Sequence, residues 1–296
     1  MDNDAASKHA GLVEHMARAL VTGARRGIGR EIVLVLARAG HNVIASMRST
    51  DECDLAEIAS RENLSIMVAK LDVDDDGSVD QFFAALAGEP IDILINNAGI
   101  LSINAIEDES IATMLAVMNT NYFGAVRCMK AVAPAMRGRG SGLIINISSI
   151  SGRMAPFGQG AYAASKHALE AASEAMAQEL APFGVRIALV EPGITATDMA
   201  VANLPKPRAD STYPHGGRMV VLNAGAASGT PPSVVADTVL DIVSGRNSSF
   251  RTLCGEDATM FIGLRSRLTD EAWIALSDTL DDGVFFERFG AALSAG

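Results

Sequence analysis

Hydrophobic and polar positions along the chain follow an alternating pattern of two kinds of segment. Short, almost continuous apolar runs are separated by longer segments whose apolar residues recur at helical spacing. Apolar runs with no polar face are typical of strands buried in a parallel sheet. The pattern predicts about seven strands, at residues 18–22, 42–46, 65–71, 91–95, 142–146, 185–190 and 249–253. Helices are predicted at residues 30–39, 110–136, 163–182, 233–244 and 269–280. Strands that alternate with helices favour an α/β fold, with a doubly wound parallel sheet and helices on both faces.

The same pattern suggests a single domain with two unpatterned segments. Residues 1–16 are predicted to be a flexible tail, and residues 17–296 to form the one domain. Between residues 198 and 232 the composition shifts to Pro, Gly, Ala, Ser and Asn, with few periodic apolar positions. A loop this long inside a compact domain is usually a lid or a binding segment. We therefore expect residues 198–232 to close over a substrate.

The composition argues against some classes of partner and indicates a cellular compartment. The 296 residues carry a net charge of −11, which argues against a nucleic-acid or anionic-membrane partner. No apolar run reaches transmembrane length, and the N-terminus has no secretory h-region. Three widely spaced cysteines and five histidines without ligand spacing predict reduced thiols and no metal site. These features predict a cytoplasmic protein.

A glycine-rich turn, Gly23-Ala-Arg-Arg-Gly27-Ile28-Gly29, lies between the first predicted strand and the first helix. Glycine loops alone are weak evidence, but strand, glycine loop and helix in this order indicate a dinucleotide site. The glycines permit a tight turn and let a pyrophosphate approach the backbone N–H groups at the helix N-terminus. The sheet is therefore predicted to be of the Rossmann type.

The end of the second strand indicates which dinucleotide is bound. An acidic residue there binds the adenosine ribose hydroxyls in NAD-specific sites. This chain has Met47 and then Arg48, and Arg25 and Arg26 lie in the glycine loop. Guanidinium groups without a carboxylate suit a 2′-phosphate, so NADP(H) is predicted over NAD(H). The alternative is that these arginines are solvated loop residues.

The candidate chemistry centres on Tyr162 and Lys166, four residues apart at a predicted helix start. That spacing places both side chains on one helix face, where the ammonium group is expected to lower the pKa of the phenol. Ser149 precedes the tyrosine by thirteen residues, across a loop with Gly and Pro, and its hydroxyl is expected to contact the same substrate oxygen. Ser148 is the competing serine.

Taken together, the motifs resemble the short-chain dehydrogenase/reductase family. The resemblance rests on Thr22-Gly23-x-x-x-Gly27-x-Gly29, on Asn96-Asn97-Ala98-Gly99 and on Tyr162-x-x-x-Lys166. It implies Ser149 over Ser148, and it implies Asn121 as a fourth catalytic residue that bends its helix and holds a water near Lys166. With the three arginines, the implied cofactor-binding residues are Gly23, Gly27, Ile28, Gly29, Asp72, Val73, Asn97, Ala98, Gly99, Tyr162, Lys166, Pro192, Gly193, Ile194 and Thr197, with Thr195 a weaker alternative to Thr197.

The resemblance implies an oxidoreductase that transfers a hydride between NADP(H) and a carbonyl or alcohol, with Tyr162 as general acid or base. It also implies a homodimer or homotetramer, in keeping with the small residues of the predicted helix 163–182. Apolar residues of the lid and of the loop before the tyrosine suggest an apolar substrate, although they could equally pack the lid onto the core: Met154, Pro156, Phe157, Met199, Val201, Leu204, Tyr213 and Met219. Other classes are a catalytically silent NADP-binding sensor or scaffold, a nucleotide-sugar epimerase and a methyltransferase.

Overall fold

A computed structural model describes residues 16–51, 53–86, 88–199, 211–214, 217–219 and 229–294. Within them, seven strands form one parallel sheet in the order β3-β2-β1-β4-β5-β6-β7. The strands are β1 (Arg18–Thr22), β2 (Asn42–Met47), β3 (Ile66–Lys70), β4 (Ile93–Asn96), β5 (Gly142–Ile147), β6 (Val185–Pro192) and β7 (Arg251–Cys254). The predicted doubly wound, Rossmann-type sheet is confirmed. The predicted tail, apart from Met16, and most of the predicted lid lie outside the described residues.

Helices connect the strands and cover both faces of the sheet. They are α1 (Gly27–Arg38), α2 (Leu55–Glu62), α3 (Asp76–Ala85), α4 (Ile111–Met118), α5 (Ala125–Arg139), α6 (Gly160–Leu180), α7 (Pro232–Val243), α8 (Glu256–Arg267), α9 (Asp270–Ala275) and α10 (Asp282–Ser294). A π-helical turn at Asn119–Gly124 joins α4 to α5. The helix predicted at 110–136 is therefore one continuous element with a wider turn in its middle.

Two hydrophobic layers hold the sheet between the helices. Leu20 of β1 pairs in register with Ile44 of β2 and Leu94 of β4, and all three pack on the face covered by α5. The next residue along β1, Val21, points the other way and packs with residues of α1 and α7. Successive strand side chains point to opposite faces, so strands buried on both sides need apolar residues at every position. This explains the continuous apolar runs in the sequence.

The strand order creates a crevice at the carboxyl ends of β1 and β4. The chain runs outward from β1 to β3 and then crosses back to place β4 beside β1. Connections leave β1 and β4 in opposite directions at this point, and ligands of open α/β sheets bind in the resulting gap.

The predicted helix at 269–280 is wrong in extent, because α9 ends at Ala275. Two flanking helices, α8 and α10, were not predicted at all. A glycine within each, Gly263 and Gly290, and a mixture of polar and aromatic residues obscure the helical period. These C-terminal helices pack around Phe285, Phe289 and Leu264 as a separate small core.

Candidate active site

A cavity of about 900 Å³ opens at the carboxyl ends of the strands. It extends from the glycine turn after β1, past the ends of β4, β5 and β6, to the C-terminal helices. All predicted catalytic and cofactor-binding residues line it except Asn121 and Asp72. The structure therefore gathers residues from seven separate predicted segments around one space.

The glycine turn at the start of α1 leaves room for a ligand against the backbone. Gly23 and Gly27 have φ angles of 66° and 57°, in the left-handed region that disfavours side chains. A Cβ atom on Gly29 would lie 2.5 Å from the carbonyl oxygen of Gly23. The first turn of α1 contains no acidic residue, and no side chain caps it. Its exposed N–H groups and positive dipole end fit a pyrophosphate.

Asn97 ties the glycine turn to the end of β4. Its side-chain amide donates to the carbonyl oxygens of Thr22, at 3.0 Å, and of Gly23, at 3.1 Å. The backbone N–H groups of Asn97 and Ala98 donate in turn to the Thr22 hydroxyl, at 3.0 and 3.1 Å. This network fixes the two strand ends that border the crevice.

The predicted adenosine end of the cavity is lined by Arg25, Arg26 and Arg48. The guanidinium of Arg26 forms an ion pair of 3.6 Å with Asp198, at the start of the predicted lid. Met47, at the end of β2, is buried and supplies no carboxylate. Asp72 does not reach the cavity wall, because its carboxylate accepts a hydrogen bond from Asp74 N within its own loop.

Ser149, Tyr162 and Lys166 all line the cavity. Ser149 follows β5 and is buried, and Tyr162 and Lys166 lie on the first turns of α6. The ammonium group of Lys166 donates to the carbonyl oxygen of Ile147 at 2.8 Å and lies 5.7 Å from the centroid of the Tyr162 ring. The three predicted groups therefore share one site, although they come from two elements.

The protonation of this trio differs from the sequence-based expectation. Burial raises the pKa of Tyr162 to about 12, and a hydrogen bond from Ser149 opposes the rise only in part. Burial also lowers the pKa of Lys166 to about 8, against the opposing effect of Glu170. Lys166 was expected to lower the pKa of Tyr162, but the pKa is raised, because burial disfavours the phenolate. At neutral pH the phenol is protonated, which is the form that donates a proton.

Asn121 lies behind this trio, in the π-helical turn. Its side-chain oxygen accepts from Ile100 N at 2.8 Å, and its amide donates to Ile100 O and to the Ser165 hydroxyl, both at 2.9 Å. These bonds occupy the amide, so its direct role here is to hold the loop after β4 against α6. The irregular turn agrees with the expected helix bend, and the expected water stays a prediction.

The loop after β6 is held by a residue that the sequence did not single out. The backbone N–H of Ile194 donates to the carboxylate of Asp257 on α8 at 2.5 Å. A Cβ atom on Gly193 would overlap the same carboxylate. Thr195 and Thr197 both line the cavity, so the wall does not separate the two candidates.

Aromatic residues form the far end of the cavity. Phe261, Trp273, Phe285 and Phe289, all from the C-terminal helices, line it together with Phe157. The sequence did not predict the first four, and their one signal is the density of aromatic residues after residue 260. Of the residues expected to line the lid, Met199 and Met219 reach the wall, Tyr213 instead bonds Glu107, and Val201 and Leu204 lie outside the described residues.

The described residues also bear on a membrane-spanning helix and on a metal site. Among the helices of the described ranges, none has the length and apolar character needed to cross a membrane. The described side chains also contain no cluster of three or more His, Cys, Asp or Glu residues that could hold a metal ion.

The family model for short chain dehydrogenases matches residues 17–207 of this chain. The chain belongs to the short-chain dehydrogenase/reductase family. The named relatives in this family are dehydrogenases and reductases.

Curated relatives within the family match different lengths of the chain. Retinol dehydrogenase 8 of Homo sapiens is 41% identical over 184 residues, which are 60% of this chain and 59% of that protein. The uncharacterized oxidoreductase YusZ of Bacillus subtilis is 35% identical over 86% of this chain and 95% of its own length. The 3-ketodihydrosphingosine reductase of Bacteroides thetaiotaomicron is 34% identical over 80% of this chain and 87% of its own length.

Solved structures of family members share the fold. A short-chain dehydrogenase from Streptomyces avermitilis is 30% identical, with a TM-score of 0.74, over 90% of this chain and 99% of its own. A family member from Burkholderia phymatum in complex with NAD has 25% identity and a TM-score of 0.72, over 85% and 93% of the two chains. One from Burkholderia cenocepacia in complex with NADP has 27% identity and a TM-score of 0.68, over 87% and 95%. Similar structures thus hold either nucleotide.

Proposed function

We propose that this enzyme uses NADP(H) to reduce a ketone or aldehyde on an apolar substrate, or to oxidise the corresponding alcohol. The observation that carries the proposal is that Ser149, Tyr162 and Lys166 line one cavity. The glycine turn, the arginines and the aromatic wall line the same cavity.

The roles of the three residues follow from their chemistry. We assign to the Ser149 and Tyr162 hydroxyls the role of hydrogen-bonding the carbonyl oxygen of a substrate. Bound nicotinamide supplies or accepts the hydride in this class of reaction. Because its pKa is about 12, Tyr162 carries the proton that an alkoxide requires, and this favours its role as general acid. Lys166 is expected to bind the nicotinamide ribose, and a water held by Asn121 is expected to resupply the proton.

The choice of NADP(H) over NAD(H) rests on charge at the adenosine end. Arg25, Arg26 and Arg48 line that end, and the final residue of β2 is the apolar Met47. A carboxylate at this position would repel a 2′-phosphate, whereas guanidinium groups bind phosphate by charge-assisted hydrogen bonds. Both features favour the phosphorylated nucleotide.

The proposed substrate is apolar because of the wall beyond Tyr162. Phe157, Phe261 and Trp273 line that end, with Met154 and Met219 beside them. Apolar surface of this kind favours apolar ligands, because such ligands have little polar surface to desolvate when they leave water. Two relatives named for retinol and for 3-ketodihydrosphingosine support an apolar substrate here.

We further propose that the enzyme forms a homodimer or homotetramer. Ile111 and Leu115, one turn apart on α4, and Phe123 on the π-helical turn are large apolar side chains exposed to solvent. Exposed apolar patches often mark protein–protein contacts. Light scattering should give a mass that is two or four times the chain mass of 30.9 kDa; a monomeric mass would exclude the proposal.

The test of function is a pair of binding titrations followed by a substrate panel. NADPH and NADH are titrated against the purified protein, and the oxidation of the bound nucleotide is followed with apolar and polar carbonyls. Preferential binding of NADPH and its consumption on apolar members support the proposal. Preference for NADH would overturn the choice of cofactor, and binding without turnover would favour a silent NADP-binding protein.

A further inference from the structure

The helix that carries Tyr162 and Lys166 carries a third ionisable residue, Glu170, on the same face. Tyr162, Lys166 and Glu170 follow one another at intervals of four residues along α6. Residues at this spacing lie one above another. Lys166 and Glu170 are each only 5% exposed. A buried carboxylate one turn beyond an active-site ammonium group is costly unless it is compensated, and its partners therefore indicate what it does.

Glu170 is fixed on one side by Arg251 of β7. Its Oε2 atom accepts a hydrogen bond of 2.8 Å from Arg251 Nε. Its Oε1 atom is buried, with no hydrogen-bond partner among the described residues. Arg251 is shared with two other carboxylates, Glu191 of β6 at 3.6 Å and Glu174 at 2.6 Å, and Glu191 also pairs with Arg153 at 3.2 Å. Burial and the charge of Glu170 raise the pKa of Glu191.

On its other side, Glu170 packs against the loop that follows Ser149. A Cβ atom on Gly152 would lie 2.9 Å from Glu170 Cγ and 2.8 Å from the hydroxyl oxygen of Ser148. Ser148 Oγ is also buried without a hydrogen-bond partner among the described residues. Only glycine fits between these groups, which keeps the carboxylate close to the Ser149 loop. Glu170 therefore belongs to the helix that supplies Tyr162 and Lys166, and it contacts the loop that follows Ser149.

The carboxylate acts on Lys166 through its charge. Burial alone favours the neutral amine, and Glu170 is the group whose negative charge opposes this loss of the proton. The ammonium group makes a bond to Ile147 O and lies near the Tyr162 ring. Because Glu170 is anchored by Arg251, its charge is held at a fixed place one turn from the ammonium group.

We propose that Glu170 is a positioning residue for the reaction, whose buried charge keeps Lys166 protonated beside Tyr162. The proposal rests on the roles of Tyr162 and Lys166 in the proposed function. It adds Glu170 of α6 and its partner Arg251 of β7 to the ionisable groups of the Tyr-x-x-x-Lys motif. Substrate and cofactor are not expected to touch Glu170, which does not line the cavity.

The test compares Glu170→Gln with Glu174→Gln. Glu174 lies one turn further along α6, bonds the same arginine at 2.6 Å and is 55% exposed, so it is a matched control. Carbonyl reduction is measured as kcat/KM over a pH range that spans the pKa of Lys166. Removal of a nearby negative charge makes protons leave the Tyr162–Lys166 pair at lower pH. In Glu170→Gln, the fall in activity at high pH should therefore move down by about one pH unit, and in Glu174→Gln it should stay in place.

A purely structural role for Glu170 would change rates or stability without moving the pH profile. Glu170→Asp, which restores the charge, should return the high-pH limb toward its original position. If Glu170→Gln does not fold, Glu170→Met fills a similar volume without a buried amide and is measured in the same way. An unmoved limb in a folded Gln or Met variant overturns the proposal while leaving the proposed function intact. Undiminished turnover in Tyr162→Phe would instead overturn the proposed function.

Discussion

The ion pair between Arg26 and Asp198 predicts that Arg26 helps the enzyme to distinguish NADPH from NADH. Arg26 lies in the glycine turn and Asp198 at the start of the predicted lid, and their side chains are 64% and 70% exposed. Exposed pairs contribute roughly 0–1 kcal/mol, so this pair costs little to separate. A hydrogen bond from a guanidinium to a phosphate contributes about 1.5–3 kcal/mol. If Arg26 exchanges Asp198 for the 2′-phosphate of NADPH, the binding free energy improves by roughly 1.5 kcal/mol, which is about tenfold in affinity.

Arg26→Ala should therefore weaken NADPH binding by about tenfold and leave NADH binding unchanged within about twofold. Asp198→Asn should strengthen NADPH binding modestly, because the arginine no longer has a competing carboxylate. The dissociation constants are measured by fluorescence titration at low salt, since these charges are exposed and screened. Arg38→Ala is the control, because Arg38 pairs with Glu62 at the far end of α1. An equal loss of affinity for both nucleotides in Arg26→Ala would refute the reasoning.

Three more predictions test the cofactor turn, the buried lysine and the C-terminal core. Gly29→Ala should abolish nucleotide binding or folding, since its Cβ would lie 2.5 Å from Gly23 O; calorimetry and circular dichroism separate the two, and normal binding would contradict the tight turn. Lys166→Met should stabilise the protein near pH 7 by roughly 3 kcal/mol, because a pKa lowered from 10.5 to about 8 means that burial of the charge opposes folding below the lower value. In urea unfolding, the difference in free energy of unfolding between Lys166→Met and the wild type should shrink as the pH rises from about 8 toward 10.5, because the folded wild type releases its proton over this range. A difference that grows with pH would contradict the prediction. Phe285→Ala should destabilise the fold by about 3–5 kcal/mol, because the ring is fully buried among Phe157, Phe289 and Arg218. A loss of less than about 1 kcal/mol in thermal unfolding would mean that the small core collapses around the gap.

Features that depend on local spacing were accessible from the sequence. Tyr162 and Lys166 share a face because four residues make about one helical turn, and the apolar runs identify strands because a parallel sheet is buried on both faces. The glycine turn is local in the same way, since Gly23 and Gly27 need backbone angles that few other residues adopt. The strand ends then fall at one edge of the sheet by topology alone.

Features that depend on distant parts of the chain were not accessible. Asp257 reaches Ile194 across 63 residues, and Arg251 reaches Glu170 across 81. The aromatic wall forms only when three C-terminal helices pack together, and their periodicity is weak. The protonation of Tyr162 also depends on burial, which spacing does not reveal, and for that reason the expected low pKa was wrong for the protein itself.

The most direct test of the central claim compares NADPH oxidation by wild-type protein and by Tyr162→Phe on the same apolar ketone or aldehyde. The variant lacks the one hydroxyl assigned to proton transfer and keeps the ring. NADPH affinity, titrated in parallel, should remain within about threefold, while kcat should fall by at least about a hundredfold, the usual contribution of a general acid. Turnover by Tyr162→Phe at the wild-type rate would contradict the account.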